Sequence, residues 1–408
     1  MRIALVYRHF DLTRGVPARS HVELARYLVN AGHDVHVYSI ASTRDVGLVP
    51  SAVFHDVPVA TVSKGRIGLA LEIWSFDRNV ARLLAAERRR FDFVHARAPS
   101  TWRADILHLP GVVSGEIRRH LDTRGPVGLG RRIKDAARPV ARPVITVRSH
   151  LERRAMESPE LAQVHVDSRQ VRDDLVAAYE IQPDQILVVP PGVNLDEFRP
   201  PDDRGAVRLA LRLPESATLI LFCGHSFQRK GLDRAILALA RMREPARLVV
   251  VGGGDPKAYS ALAETAGVLD RVHFAGARSD AWRFYQAADV VTLPTRVDMW
   301  GSSVVEAMAT GVPPVTTSAA GASEVVDDGR TGFVLPEPLD IDFLAATFDR
   351  LAHDAELRRR IGAAARERAR ALSWQEHGRR VEAAMSMLLR PTLGSEETLG
   401  SSGRSGAA

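Results

Sequence analysis

Short runs of apolar and β-branched residues alternate with longer amphipathic stretches along most of this chain. Such alternation is typical of β-α units that build a parallel sheet. The first unit comprises a strand at 3–7, a loop around Gly15, a helix from about 19 to 31 and a strand at 35–39. Gly32 follows this helix, at a position where glycine commonly ends helices. The sequence therefore predicts an α/β protein with parallel sheets.

Proline residues near position 190 divide the β-α units into two series, because proline continues neither a helix nor a central strand. Further strands are predicted at 93–95, 106–109, 144–147 and 164–167 before the break, and at 219–223, 247–251, 272–274, 290–293, 314–317 and 333–335 after it. A length of 408 residues also favours two domains. We predict one Rossmann-like domain at 1–190 and a second at 191–373. A helix at 374–390 should pack back on the first domain, and 391–408 should be a disordered tail.

Composition excludes several classes of protein. Apolar residues make up 45% of the chain and charged residues 25%, without a run of eighteen apolar positions. These values argue against disorder and against a membrane-spanning helix. The opening apolar run is too short for a secretory signal. Cys223 is the single cysteine, so a disulfide framework and a cysteine-based metal site are excluded. We therefore expect a cytoplasmic protein.

The net charge of +6 is unevenly distributed, with eleven basic and four acidic residues at 114–155. This segment could bind phosphate-bearing acceptors or the anionic headgroups of a membrane's inner face, or it could be an ordinary solvated surface. A stretch at 69–84 carries apolar residues near helical spacing with arginines among them. It could lie on a membrane surface or face the protein core. Both alternatives stay open, and nucleic-acid binding is not expected.

The strongest functional pattern covers residues 298–313. A strand at 290–293 leads into a loop containing Gly301, and a helix should begin near Ser302. Free backbone N–H groups at that helix start would face a diphosphate. Asp298 should precede the helix and Glu306 should lie about one turn inside it, where carboxylates can accept hydrogen bonds from sugar and ribose hydroxyls. The apolar neighbours of Glu306 predict a buried helix start, and an unpaired carboxylate there is costly. A binding role is therefore favoured over a surface role.

A second pattern follows the strand at 219–223, where a loop begins with Gly224 and contains Arg229 and Lys230. Two adjacent cations could neutralise a leaving diphosphate, although an isolated pair is more often a surface feature. The glycines at 252–254 lack the spacing of a dinucleotide fingerprint, so we interpret them as a tight turn. An NAD-dependent enzyme is therefore disfavoured.

These motifs resemble the retaining glycosyltransferases of family 4, which have the two-domain GT-B fold. The family's two acidic residues, with seven residues between them, correspond to Asp298 and Glu306, and Gly301 lies between the two. The glycine-rich sequel at 311–314 and 321–332 follows the same pattern. The stretch at 224–234 is similar to that of the lipopolysaccharide-core glucosyltransferases. The resemblance covers nearly the whole chain.

The resemblance implies a metal-independent hexosyltransferase that needs no cofactor. The donor would be a nucleotide-diphosphate sugar, with UDP-sugars favoured, and the acceptor a hydroxyl of a glycan, glycolipid or small molecule. It implies that Arg229 and Lys230 bind the diphosphate, that Glu306 binds the ribose and that Asp298 binds the sugar. Further donor contacts are implied for Gly15, Gly224, Gly276, Arg278, Gly301, Ser302 and Ser303, with the loop of Gly276 and Arg278 packing on the base and Gly15 closing over the diphosphate.

Three positions depart from the family pattern. Asp298 stands where glutamate is usual, Gly15 is followed by valine instead of glycine, and His225 replaces an arginine. These changes leave the identity of the donor open. The family's histidine near the reacting sugar corresponds to His108, with His95 as a second candidate, and a structural role is equally open. The alternative functions are a nucleotide-sugar 2-epimerase and a non-catalytic GT-B binding module. The oligomeric state is not predicted.

Overall fold

The computed structural model describes residues 1–12, 16–60, 65–113 and 143–389. Their strands form two sheets, and all strand pairs in both are parallel. The first sheet has the order β3-β2-β1-β4-β5-β6-β7 and the second the order β10-β9-β8-β11-β12-β13. The predicted α/β fold with two Rossmann-like sheets is therefore confirmed. Gly15, residues 114–142 of the basic segment and the tail at 391–408 lie outside the described residues.

The strands of the first sheet are β1 (Arg2–Val6), β2 (Asp34–Ser39), β3 (Val53–Asp56), β4 (Phe93–Arg97), β5 (Ile106–Leu109), β6 (Gln163–Val166) and β7 (Ile186–Val188). Its helices in the described chain are α1 (Val16–Asn30), α2 (Arg66–Glu87), α3 (Pro143–Met156) and α4 (Arg169–Ala178). Apolar side chains from the strands and from these helices form two clusters, one on each face of the sheet. Both faces are therefore covered, as a parallel sheet requires.

The second sheet consists of β8 (Thr218–Cys223), β9 (Ala246–Val251), β10 (Val272–Gly276), β11 (Val290–Leu293), β12 (Pro314–Thr317) and β13 (Phe333–Leu335). The helices that follow in chain order are α5 (Arg204–Ala210), α6 (Phe227–Lys230), α7 (Leu232–Arg241), α8 (Lys257–Thr265), α9 (Ala281–Ala287), α10 (Ser302–Thr310), α11 (Ile341–His353), α12 (Ala355–Arg370) and α13 (Trp374–Leu389). Two apolar clusters again flank the sheet.

The strand predicted at 144–147 is wrong, because these residues belong to helix α3. Their β-branched side chains favour a strand locally. The helix instead continues to Met156 and buries Leu151 and Ala155, and it packs along α2. Tertiary packing of this helical face therefore overrides the local preference. The short strands β3 and β7 were not predicted.

Helix α13 returns the chain to the first sheet and lies against α1. Gly378 allows this close approach, because a Cβ at that position would lie 2.2 Å from the Tyr27 ring. Tyr27 donates a 2.6 Å hydrogen bond to Glu382, and the His33 ring lies 2.8 Å from the same carboxylate. The C-terminal helix thus joins the two halves of the chain.

Helix α2 buries one face and exposes another. Phe76 and Val80 are fully buried in the core, whereas Ile67, Leu71 and Trp74 are 66%, 37% and 44% exposed. The stretch at 69–84 therefore supplies core contacts and also leaves an apolar strip in contact with solvent. Within the described parts of the chain, every helix is too short or too polar to cross a bilayer.

Candidate active site

The two sequence motifs of the C-terminal half meet at the carboxyl edge of the second sheet. Strands β8 and β11 are neighbours there, and the chain order reverses between them. Ligands of open α/β sheets bind in the crevice at such a switch point. Lys230 follows β8 and Asp298 follows β11, and the Lys230 Nζ lies 2.8 Å from Asp298 Oδ2. Arg229 Nη1 lies 3.3 Å from the same oxygen. Residues 68 positions apart in sequence therefore form one charged cluster.

Backbone hydrogen bonds hold these two loops together. The amide of Arg296 and the hydroxyl of Thr295 each donate to the Arg229 carbonyl, at 2.9 and 3.0 Å. Gly231 sits at the closest approach with φ of +79°. A Cβ at this glycine would lie 2.0 Å from the carbonyl oxygen of Pro294. Only glycine fits this backbone, and it allows the loop of Lys230 to approach the facing loop closely.

Asp298 is ionised although it is largely enclosed. Burial raises the pKa of this carboxyl, but the charges of Lys230 and Arg229 outweigh burial, and the pKa lies below its ordinary value. Two cations therefore share one carboxylate. The cluster retains a net positive charge at the edge of the sheet, which suits an anionic ligand.

The start of α10 lies beside this cluster. Gly301 precedes the helix with φ of +93°, and a Cβ there would lie 2.8 Å from the Leu293 side chain. The helix begins at Ser302, as predicted. Ser303 is buried, and its hydroxyl oxygen has no hydrogen-bond partner among the described residues. Helix N-termini offer unsatisfied N–H groups to anions, and here they adjoin the two cations.

Glu306 lies one turn inside α10 and accepts a 2.5 Å hydrogen bond from the Tyr285 hydroxyl. Burial raises the pKa of Glu306, while this hydrogen bond and the charge of Arg19 act in the opposite direction. Arg19 belongs to α1 of the first sheet and pairs with Glu197 at 2.6 Å. The carboxylate therefore faces the cleft between the sheets. Tyr285 was missed by sequence reasoning because α9 carries no recognisable motif.

The other predicted donor residues surround the cluster at varying distances. Gly224 has φ of +153°, and a Cβ there would lie 2.6 Å from the Lys230 side chain, so this glycine makes room for the lysine. Gly276 ends β10, and its carbonyl accepts a 2.8 Å hydrogen bond from Gly252. Arg278 lies farther out and pairs with Asp280 at 2.8 Å. The loop predicted to contact a base is thus on the same edge of the sheet.

Both candidate histidines of the first sheet lie in one buried group. This histidine cluster comprises His21, His95, His108, His165 and His377, whose ring centroids lie 4.3 to 6.5 Å from a neighbouring member. Burial lowers the pKa of every member, so the rings are neutral at neutral pH. Neutral imidazoles can serve as hydrogen-bond donors or proton acceptors.

His108 and His95 differ in their partners. The His108 Nε2 lies 2.8 Å from an oxygen of Asp167, whereas His95 Nδ1 lies 3.1 Å from the Tyr7 hydroxyl. Asp167 follows β6 and was not predicted, although its place after a strand is a usable signal. His108, His165 and Asp167 also offer ligand atoms within 4.8 Å of one another. Metal independence therefore stays a prediction.

The carboxyl edges of the two sheets face each other. The Ser168 hydroxyl donates a 2.9 Å hydrogen bond to the Met299 carbonyl, and the Arg169 amide donates to Glu324 at 2.9 Å. Ser168 directly follows Asp167, which pairs with His108, and Met299 directly follows Asp298 of the charged cluster. The His108–Asp167 pair and the charged cluster therefore lie on either side of the contact between the two carboxyl edges.

Two protein-family models match the chain. Residues 18–197 match the model described as Glycosyltransferase Family 4, and residues 203–368 match the model described as Glycosyl transferases group 1. Together they cover every strand of the two sheets except β1.

Several curated relatives share substantial sequence. The D-inositol 3-phosphate glycosyltransferase of Kribbella flavida is 30% identical over 87% of this chain and 86% of its own length. The enzyme of that name from Xylanimonas cellulosilytica is 39% identical over 51% of this chain, and the chain spans 53% of its length. The lipopolysaccharide glucosyltransferase WaaG of Escherichia coli is 34% identical over 40% of this chain, which spans 46% of its length.

Solved structures share the two-sheet architecture. The crystal structure of WaaG superposes with a TM-score of 0.73 at 23% identity, covering 95% of this chain and 99% of that one. Anabaena HepE in complex with UDP-glucose gives a TM-score of 0.69 at 18% identity, covering 95% and 100%. These superpositions establish the fold, which is of the GT-B type.

Proposed function

Since this chain belongs to glycosyltransferase family 4, we propose that it transfers a hexose with retention from a nucleotide-diphosphate sugar to an acceptor hydroxyl. The acceptor is a glycan, a glycolipid or a small molecule. The observation that carries this proposal is the cluster of Lys230, Arg229 and Asp298 at the switch point of the second sheet, facing His108 and Asp167 across the cleft. A UDP-sugar is favoured as the donor, in keeping with the HepE complex and with the glucosyltransferase name of WaaG.

In this proposal the second sheet binds the donor. Arg229 and Lys230 hold the diphosphate together with the N–H groups at Gly301, Ser302 and Ser303. Glu306 accepts hydrogen bonds from the ribose, and the Tyr285 hydroxyl fixes its orientation. The remaining donor contacts come from Asp298 on the sugar, from Gly224, and from the loop of Gly276 and Arg278 on the base.

Charge development during the reaction fits this arrangement. The bond between the anomeric carbon and the phosphate oxygen breaks, and negative charge grows on the leaving diphosphate. Preformed cations and helix N–H groups stabilise such charge without reorganisation. The acceptor oxygen bonds to the anomeric carbon on the same face, and its proton passes to an oxygen of the leaving phosphate. No metal or cofactor takes part in this proposal.

His108 contributes from the first domain. Its Nε2 is occupied by Asp167 at 2.8 Å, so this carboxylate fixes the orientation of the ring. A neutral imidazole that donates from Nε2 to Asp167 carries no proton on Nδ1, so Nδ1 can accept a hydrogen bond from a sugar hydroxyl. His95 remains the second candidate for this role, with its Nε2 buried and unpartnered among the described residues.

A thermal-shift panel of UDP-, GDP- and ADP-sugars tests the donor class. Ligand stabilisation follows mass action, so at equal concentrations the true donor class gives the largest shift. We expect UDP-sugars to stabilise the protein most. Equal, negligible shifts for all three classes would contradict the proposal.

A nucleotide-sugar 2-epimerase is the second enzymatic alternative, and an acceptor-free incubation separates the two. An epimerase converts the nucleotide sugar without an acceptor, whereas the proposed transferase leaves the sugar configuration unchanged and releases little nucleotide. A non-catalytic module would neither epimerise the sugar nor transfer it when an acceptor is added. Salt-sensitive binding to nucleic acid without nucleotide-sugar affinity would favour that module.

The protein is proposed to act in the cytoplasm, at times in peripheral contact with the inner face of the membrane. The support is the exposed strip of Ile67, Leu71 and Trp74 on α2, with the Arg78 guanidinium 5.3 Å from the Trp74 ring. Apolar residues flanked by arginines favour the interface of an anionic bilayer.

A further inference from the structure

Three side chains that can bind a metal ion lie on one face of the first sheet. His108 and His165 are register partners on the adjacent strands β5 and β6. Asp167 lies two residues beyond His165, and alternate residues along a strand share a face. All three side chains are buried, and their ligand atoms lie within 4.8 Å of one another. The order of the sheet therefore brings two imidazoles and one carboxylate to one point.

One of these imidazoles has a ring nitrogen that is ready to bind a cation. The His165 Nε2 lies 3.1 Å from the Val189 carbonyl oxygen. A carbonyl oxygen only accepts hydrogen bonds, so Nε2 carries the ring proton. Burial lowers the pKa of His165, so the ring is neutral and Nδ1 carries no proton. This Nδ1 is buried and has no hydrogen-bond partner among the described residues. A buried acceptor of this kind costs free energy unless a ligand binds it.

The partners of both histidines match those of metal-binding histidines. A histidine that binds a metal through one nitrogen usually donates its other N–H to a backbone carbonyl or a carboxylate. The Val189 carbonyl supplies this contact for His165. The His108 Nε2 lies 2.8 Å from Asp167 Oδ1, so an ion between these two atoms would replace their hydrogen bond. Coordination through Nε2 places the proton of the neutral His108 ring on Nδ1, and no proton is lost.

We propose that His108, His165 and Asp167 bind one divalent transition-metal ion of the class of Zn²⁺ and Co²⁺. Two nitrogen ligands and one carboxylate suit these ions, whereas Mg²⁺ and Ca²⁺ take oxygen ligands. Zn²⁺ binds nitrogen at about 2.0–2.1 Å, so its ligand atoms lie about 3.3 Å apart. The rings of His108 and His165 stack with their centroids 4.3 Å apart. One ring therefore turns about its Cβ–Cγ bond when the ion binds.

A bound ion would change what His108 offers to a sugar, a consequence that rests on the proposed function. In that function the unprotonated Nδ1 of His108 accepts a hydrogen bond from a sugar hydroxyl. With an ion on Nε2, Nδ1 carries the ring proton and can no longer accept one. The ion is therefore a reversible inhibitor of transfer and not a cofactor of it.

The first test adds Co²⁺ to protein freed of metal by EDTA and follows the visible absorption of the bound ion. We expect one Co²⁺ per chain, displaced by Zn²⁺. Asp167→Asn keeps the shape of the side chain and removes its charge. It should weaken Co²⁺ binding at least about a hundred-fold, since loss of an outer hydrogen-bond partner alone costs about 10- to 100-fold. His165→Gln is a second variant if Asp167→Asn does not fold.

His353→Gln is the matched control, because the His353 side chain is 79% exposed and lies 3.3 Å from a carboxylate, that of Glu244. This variant should keep the wild-type affinity for Co²⁺. Absence of Co²⁺ binding by the wild type, or unchanged affinity in the folded Asp167→Asn or His165→Gln protein, would overturn the assignment. Equal weakening in His353→Gln would overturn it as well.

The second test measures release of nucleoside diphosphate by the wild type. Zn²⁺ should inhibit this release at concentrations that fill the site, EDTA should restore it, and Mg²⁺ should have no effect. Full activity of the ion-saturated protein would contradict inhibition through His108, whereas the Co²⁺ titration decides the ion site by itself. A wild type that binds Co²⁺ but transfers no sugar, even with EDTA present, would count against the proposed function and not against the ion site.

Discussion

Replacing Lys230 by methionine tests the electrostatic description of the charged cluster. The side chains of Lys230 and Asp298 are each only 13% exposed and lie 2.8 Å apart. Removing one partner of a buried ion pair costs about 3–5 kcal/mol, because the other charge stays buried. Arg229 remains 3.3 Å from the same oxygen and recovers part of this cost. We therefore expect Lys230→Met to lower the free energy of unfolding by about 2 kcal/mol at pH 7.

The pH dependence has a definite sign. The folded-state pKa of Asp298 lies below its ordinary value, so the pair stabilises the fold above a pH of about 4 and the stabilisation is lost as the pH falls through the folded-state pKa. Without Lys230, burial is opposed only by Arg229, and the carboxyl binds a proton at higher pH. The difference in unfolding free energy between wild type and variant should therefore be largest near neutrality and should narrow toward acid pH.

Urea unfolding followed by circular dichroism measures this difference across the pH range. Lys230→Met/Asp298→Asn should lose less stability than the two single variants added together, because removal of both charges leaves no uncompensated ion. Asp202→Asn is the surface control, since Asp202 is 88% exposed and lies 3.3 Å from Arg199. If the losses of the two single variants add up to that of the double variant, or if the loss at pH 7 is no larger than in the surface control, Lys230 does not compensate the buried charge of Asp298.

Three further predictions concern other parts of the site. Gly231→Ala should lower the free energy of unfolding by at least about 2 kcal/mol and abolish UDP binding, because backbone strain and a backbone clash combine. Gly267 also has a positive φ, of +71°, but has open space around it. Gly267→Ala should therefore lose only about 1 kcal/mol in the same urea assay and keep its UDP affinity. Tyr285→Phe should weaken UDP binding, measured by titration, about three- to ten-fold, because Glu306 loses the hydrogen bond from the tyrosine hydroxyl. Tyr179→Phe removes a similar tyrosine–glutamate hydrogen bond outside the proposed site and should leave UDP affinity unchanged. The histidines of the cluster have folded-state pKa values below the ordinary 6.5, so the unfolded chain binds protons before the folded one as the pH falls. The free energy of unfolding should therefore decrease below a pH of about 6.5, with a slope that approaches about 1.4 kcal/mol per histidine and pH unit. Equal urea midpoints at pH 7.5 and 5.5 would contradict this.

Much of the fold could be predicted from the sequence because the spacing of apolar residues and the positions of turn glycines are local signals. Strands such as Val290–Leu293 and Phe333–Leu335 have the predicted bounds. Helix α13 also begins and ends where its apolar spacing indicates. The strand predicted at 144–147 is wrong because β-branched residues favour a strand locally, while packing against α2 decides the outcome. Such packing is not visible in a window of a few residues.

The candidate site was predictable where residues follow strands in motifs, and not where partners come from distant elements. Asp298 and Lys230 were identified separately, but their 2.8 Å contact depends on the adjacency of β8 and β11. Tyr285 was not identified because it belongs to no motif, and Asp167 was overlooked although it directly follows β6.

Release of nucleoside diphosphate, measured on the preferred nucleotide sugar and acceptor for the wild type, Lys230→Ala and Glu306→Ala, tests whether the donor binds at this edge of the second sheet. Each variant should lose at least about a hundred-fold in kcat/KM, because a preset charge stabiliser or a buried ligand contact is removed. Arg153→Gln, a control at an exposed position of α3, should keep wild-type turnover. Activity within a few-fold of wild type in both active-site variants would contradict the assignment of the donor site to this edge of the second sheet.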